Sequence, residues 1–146
     1  NDETEKALLS DDPIGNLQDT LTVPIIQIAD DDPLMKEAVQ KARDTFQSQF
    51  AAAFESKAGE NFAVKAPVSH SGNTEFIWIS VTTIEGERIY GVLGNEPNDL
   101  GPLKLGSKVS VSAVDLNDWC YLDPKGDLKG AYTVEVLKKA AERGRN

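Results

Sequence analysis

The chain is poor in the side chains that carry most protein chemistry. It holds one cysteine, Cys120, one histidine, His70, and one methionine. A single thiol cannot close an internal disulfide, so cysteine usage favours neither an oxidising nor a reducing compartment. A structural zinc site draws on about four His, Cys or acidic ligands, and the scarcity of the first two argues against one. No cofactor is expected. The sequence contains no Gly-Lys-Ser/Thr and no G-x-S-x-G elbow, which removes the phosphate-cradling loop and the exposed serine nucleophile of hydrolases. No apolar run approaches the roughly 18 residues of a membrane-spanning helix, so no transmembrane segment is expected.

Charge is present but unevenly placed. Of the formal net charge of −9, the first 32 residues account for nearly all: they hold Asp2, Glu3, Glu5, Asp11, Asp12, Asp19, Asp30, Asp31 and Asp32 against Lys6 alone. The remaining chain is close to neutral and has no basic stripe, so a nucleic-acid partner is not expected. Residues 1–20 lack periodicity and read as an acidic flexible tail, leaving 21–146 as a single domain. The chain starts on Asn1 rather than Met. That reads as a processed or trimmed start, compatible with an exported, periplasmic or anchored protein and equally with a cytoplasmic one.

What is there reads as an α+β domain. Leu21 to Ile28 carries five aliphatic residues around Pro24, which cannot donate to a ladder, so it reads as an edge strand or an arm lying on the domain. Asp31-Asp32-Pro33 opens a helix. Met35, Ala38, Val39, Ala42, Phe46, Phe50, Ala53 and Phe54 then form one apolar stripe that should run to about Lys57 and stop before Gly59. The three aspartates could suggest calcium ligands, but the helix start accounts for them and no matched downstream acids complete a loop.

Strands follow. Phe62 to Ala66 is the first, with His70 in a loop from Ser69 to Asn73. Glu75 to Thr83 sets Ile77, Ile79 and Val81 on one face and Phe76 and Trp78 on the other, the mark of a central strand. Glu85-Gly86 makes a tight hairpin into Arg88–Leu93. Lys108 to Val114 alternates cleanly, Asp115 to Trp119 makes a tight corner or a single 3₁₀ turn, and Trp119 and Tyr121 share one side of a short strand while Cys120 and Leu122 share the other. Asp123-Pro124-Lys125-Gly126-Asp127 is a turn, and Thr133 reads as the cap of a last helix to about Arg143. The expected architecture is a long N-terminal helix, a strongly bent antiparallel sheet of about five strands and a short C-terminal helix. An SH3-like, partly closed barrel is one form that sheet can take.

The segments KLGSKVSV, DLNDWCYLD and GDLKGAYTVEVL, preceded by FIWISV at 76–81 and GVLGNEP at 91–97, give a further lead. In that order they resemble the bacterial family called domain of unknown function 2314, over roughly residues 33–139. The resemblance implies a domain boundary and carries over no catalytic residue.

Chemistry in the sequence is weighed against plainer duties. His70 has no acid or cysteine beside it, Cys120 sits inside a strand, and Asp115, Asp118, Asp123 and Asp127 occupy turns where carboxylates cap backbone amides. The remaining cluster is Trp78, Tyr90, Asn95, Asp118, Trp119 and Tyr121, whose aromatics offer wide contact area with a polar tip or else fill the core. On this reading the chain is a non-enzymatic binding or interaction domain with a protein or small-molecule partner. A hydrolase of unfamiliar design, using His70 or the Asp118 region, is the enzyme alternative. A small inhibitor or immunity-type protein is the third.

Overall fold

The computed structural model describes residues 32–143. The expected tail at 1–20 and the aliphatic stretch at 21–28 lie outside these residues. The helix begins where its sequence signals place it. The Asp32 carboxylate accepts the backbone N–H groups of Leu34 at 2.9 Å and Met35 at 3.3 Å, and Pro33 takes the first position, where no donor is needed.

Helix α1 (Pro33–Thr45) passes through a π-helical turn (Phe46–Ala51) into α2 (Ala52–Ser56). The continuous α-helix read from the stripe is thus widened in its middle. The cause lies in the four-residue spacing of Ala38, Ala42, Phe46 and Phe50, which drifts round a regular 3.6-residue helix and which a wider turn brings back to one side. All four are buried, and the Phe46 and Phe50 rings stack at 5.2 Å. The helix stops before Gly59 as expected, with Lys57 as the left-handed residue that ends it.

The strands are β1 (Glu60–His70), β2 (Asn73–Glu85), β3 (Arg88–Leu93), β4 (Lys108–Ser112), β5 (Asp118–Leu122) and β6 (Leu128–Gly130). Among the described residues they form one antiparallel sheet of six in the order β4-β3-β2-β1-β5-β6, one more than expected. The added strand, β6, was hidden because three residues ending in glycine carry no readable alternation. His70 also moves. It ends β1, paired with Asn73 across the turn Ser71-Gly72, both at positive φ, rather than sitting in a loop.

The sheet is strongly bent. β1 and β4, three places apart, come within 8 Å between Cα atoms, yet among the described residues no ladder closes the ring. Register shifts between Val81 and Thr83 and between Glu60 and Ala63 supply part of the bend. Gly91 permits it, because a Cβ there would stand 2.1 Å from the Ser80 carbonyl oxygen.

Two faces result, as the alternation in β2 requires. The inner one carries Val64, Ala66, Ile77, Ile79, Ile89, Leu93 and Trp119 against Phe46 and Phe50. The outer one gathers Ala63, Trp78 and Cys120 with Ala131 and Val134, at the start of α3 (Tyr132–Arg143). Between β4 and β5 the chain makes a single 3₁₀ turn, Ala113–Asp115. Among the described residues no helix is long and apolar enough to cross a membrane.

Candidate functional site

The six residues singled out by sequence do not converge on one cavity. Trp119 and Tyr121 lie together on the inner face, stacked at 5.8 Å, with Tyr121 stacked in turn on Phe62 at 4.8 Å. Trp119 is fully buried, and its indole N–H donates to the Ala42 carbonyl at 3.0 Å and to the Thr45 hydroxyl at 3.2 Å. It therefore holds α1 to the sheet by its ring and by its one polar atom. Tyr132 completes this aromatic set edge-on to Trp119, with the Lys41 ammonium 5.0 Å from its own ring.

Trp78 and Asp118 lie on the outer face, each register-paired with Lys65 of β1 between them. Trp78 is buried against Ala63, Cys120, Ala131 and Val134. Asn95 follows Gly94, whose N–H donates to the Trp78 carbonyl at 2.8 Å, and is itself nearly buried at the start of the long loop. Tyr90 stands apart on β3, opposite Ser110 and exposed.

Asp118 is wholly engaged. Its Oδ1 accepts from the N–H of Trp119 at 2.8 Å and of Tyr132 at 3.1 Å; its Oδ2 accepts from the Thr133 N–H and hydroxyl. The cap of α3 is thus Asp118, and Thr133, expected to cap, is a donor to it. Spacing in sequence pointed to the threonine because caps are ordinarily local, whereas this acceptor arrives from the neighbouring strand. Burial raises the Asp118 carboxyl above the ordinary value of 3.8, opposed by those four donors. Burial also pushes the Cys120 thiol well above its usual range, with the Asp118 charge adding to the rise. Such a thiol is inert as a nucleophile. Among the described residues no three His, Cys, Asp or Glu side chains converge to hold a metal ion.

A surface that the sequence did not mark lies where α1 overhangs the sheet. Met35, Lys36, Val39, Gln40 and Arg43 form one wall of a groove of about 370 Å³, with Phe76 of β2 and Asn117 opposite. Phe76 is 51% exposed. Arg43 is fixed, its Nε donating to the Leu116 carbonyl at 2.7 Å. Phe76 pairs with Pro67, and the Asn117 N–H donates to the Lys65 carbonyl at 2.7 Å, so the groove sits where β5 parts from β1. In sequence Met35 and Val39 belong to the apolar stripe and Phe76 alternates with Trp78. Nothing local separates an apolar residue that is covered from one that is not.

The fold and this geometry define an α+β domain with an open, strongly bent antiparallel sheet and a groove beside its long helix. The chain belongs to the family described as an uncharacterized protein conserved in bacteria, domain of unknown function 2314, whose model matches residues 32–144. Among its relatives, "Uncharacterized protein YegJ" of Escherichia coli (strain K12) is 31% identical over 108 residues, covering 73% of this chain and 69% of that protein. "Putative ankyrin repeat protein NMB1133/NMB1171" of Neisseria meningitidis serogroup B (strain ATCC BAA-335 / MC58) is 31% identical over 117 residues. The match covers 74% of this chain but only 46% of that longer protein. No solved structure matches the chain.

Proposed function

We propose that the domain is a binding module that takes an extended, partly apolar peptide in the groove between α1 and Phe76. The observation that carries this reading is Phe76 itself, a large aromatic half in solvent at the edge of a groove that mixes Met35 and Val39 with polar side chains and has two cations in its wall. Exposed aromatics rimmed by polar groups are what binding surfaces present. Lys36 and Arg43 favour a peptide bearing carboxylates beside its aliphatic residues. In this reading Trp119 and Asp118 act behind the site. They hold α1 and α3 in place and leave recognition to the groove.

The test is a displayed library of short random peptides selected on the full chain, followed by calorimetry of the winners. Enriched peptides should combine aliphatic and acidic residues, and Phe76→Ala should weaken them about tenfold, or about 1.4 kcal/mol. Failure to enrich any peptide, or binding that survives both Phe76→Ala and Val39→Glu, would remove this function.

A further inference from the structure

The groove at Phe76 does not end at Arg43. Beyond that residue a second hollow of about 410 Å³ continues along the helix, with Arg43, Phe46 and Gln47 on one side and Glu87, Ala113 and Val114 on the other. Arg43 lines both. Val114, on the 3₁₀ turn between β4 and β5, is 60% exposed there, whereas Phe46 is buried. Together the two hollows follow the helix from Met35 to Gln47, about 18 Å.

The helix wall has a repeat that an extended chain matches. Met35, Val39, Arg43 and Gln47 stand four residues apart on one ridge, with a rise of about 6 Å from each to the next. In an extended peptide the side chains at i, i+2 and i+4 point one way and stand about 6.7 Å apart. Three such side chains fall in step with Val39, Arg43 and Gln47. The chemistry they meet alternates: Val39 and Phe76 in the first hollow, a cation at the junction, then Ala113 and Val114 in the second.

The junction is also set in advance. Arg43 is exposed on the helix, yet its Nε donates to the Leu116 carbonyl at 2.7 Å. A guanidinium held through Nε offers its two Nη groups as a ready fork for a carboxylate, and the holding reduces the entropy lost when one arrives. Glu87 in the far wall disfavours a second acid at that end.

We infer that the peptide site spans both hollows and selects the pattern aliphatic-x-acid-x-aliphatic. One aliphatic residue lies by Val39 and Phe76, an Asp or Glu lies on Arg43, and a second aliphatic residue lies against Val114. This inference rests on the Phe76 groove being a peptide site and adds its second half, its central anchor and their spacing.

Selection of displayed short random peptides on the full chain, repeated on three variants, tests it. Wild type should enrich an acid with an aliphatic residue two positions away on each side. Arg43→Glu should exchange that acid for Lys or Arg in the enriched set, a change of preference that an unfolded protein cannot produce. Val114→Lys, at an exposed position, should abolish the aliphatic preference on one side of the acid and weaken the wild-type winners about tenfold. Phe76→Ala should abolish it on the other side. Should Arg43→Glu enrich nothing, the one-sided loss in Val114→Lys decides alone. Winners that require Phe76 but are indifferent to Val114→Lys, or whose acid keeps no fixed spacing from its aliphatic neighbours, overturn the inference and leave the binding function standing. No enrichment on the wild-type chain removes both.

Discussion

The two ends of β5 use the same device at different depths. At each end an aspartate accepts backbone N–H groups from chain that follows it. Asp123 works locally, its Oδ1 accepting from Lys125 and Asp127 at 2.9 Å each, in a turn open to solvent. Asp118 works at a distance, tying Tyr132 and Thr133 of α3 to the sheet from a buried position. An exposed amide that loses its acceptor turns to water, whereas a buried one has nowhere to turn. The residue type is common to both ends, and depth sets the stake.

The protonation of the two carboxyls diverges for the same reason. Burial raises Asp118, while the amide of Asp127 above all, with that of Lys125 and the charges of Lys129 and Lys125, lowers Asp123. Their contributions to stability should therefore run in opposite directions with pH.

The largest break in this comparison should come from Trp119, next to Asp118. Trp119→Ala removes a fully buried ring and leaves the Ala42 carbonyl short of a donor, and should cost about 3–5 kcal/mol in a denaturant melt. A near-wild-type midpoint would mean that α1 is held by something else. Asp118→Ala strands three amides and a hydroxyl and should cost about 2–4 kcal/mol, with α3 losing exchange protection before the sheet does. The milder Asp118→Asn sharpens the pH contrast. A raised carboxyl stabilises the fold most when protonated, so wild type should gain on this variant as pH falls from about 7 towards 4. A gap that narrows instead would show that the donors outweigh burial.

Gly130→Ala probes the β6 edge of the same corner. Gly130 sits at φ +81°, and a Cβ there would stand 2.3 Å from the Trp119 carbonyl oxygen, so a loss of about 1–3 kcal/mol is expected. The smallest effect belongs to Asp123→Asn. The lowered carboxyl stabilises the fold only when ionised, so the slight advantage of wild type should fade as the pH drops below about 4. A loss as large as that of Asp118→Ala would erase the distinction between the two ends.

Much of the Asp123 end was legible in sequence, because a turn of Pro, Gly and Asp is a matter of neighbouring dihedrals and short hydrogen bonds. The same holds for the helix start at Asp32-Pro33 and for the facing of Trp119 with Tyr121. The Asp118 end was legible only in part. An aspartate in a corner announced a cap, but its client lies fourteen residues further along and is reached through the sheet. The candidate groove was not legible, since Phe76 obeys the same alternation as buried Trp78.

By itself, then, the sequence determined the periodicities: which stretches are helical, which are extended, where they turn, and which side chains share a face. Each follows from local backbone geometry, and each survives whatever the element later packs against. The tertiary structure alone decided that β5 enters beside β1 rather than beside β4, that Asp118 caps α3, and that α1 covers Trp119 but stops short of Phe76. Those outcomes depend on which surfaces compete for one another across the whole chain. Strand pairing and burial are settled between distant segments, and no window of neighbouring residues contains both parties to the contact.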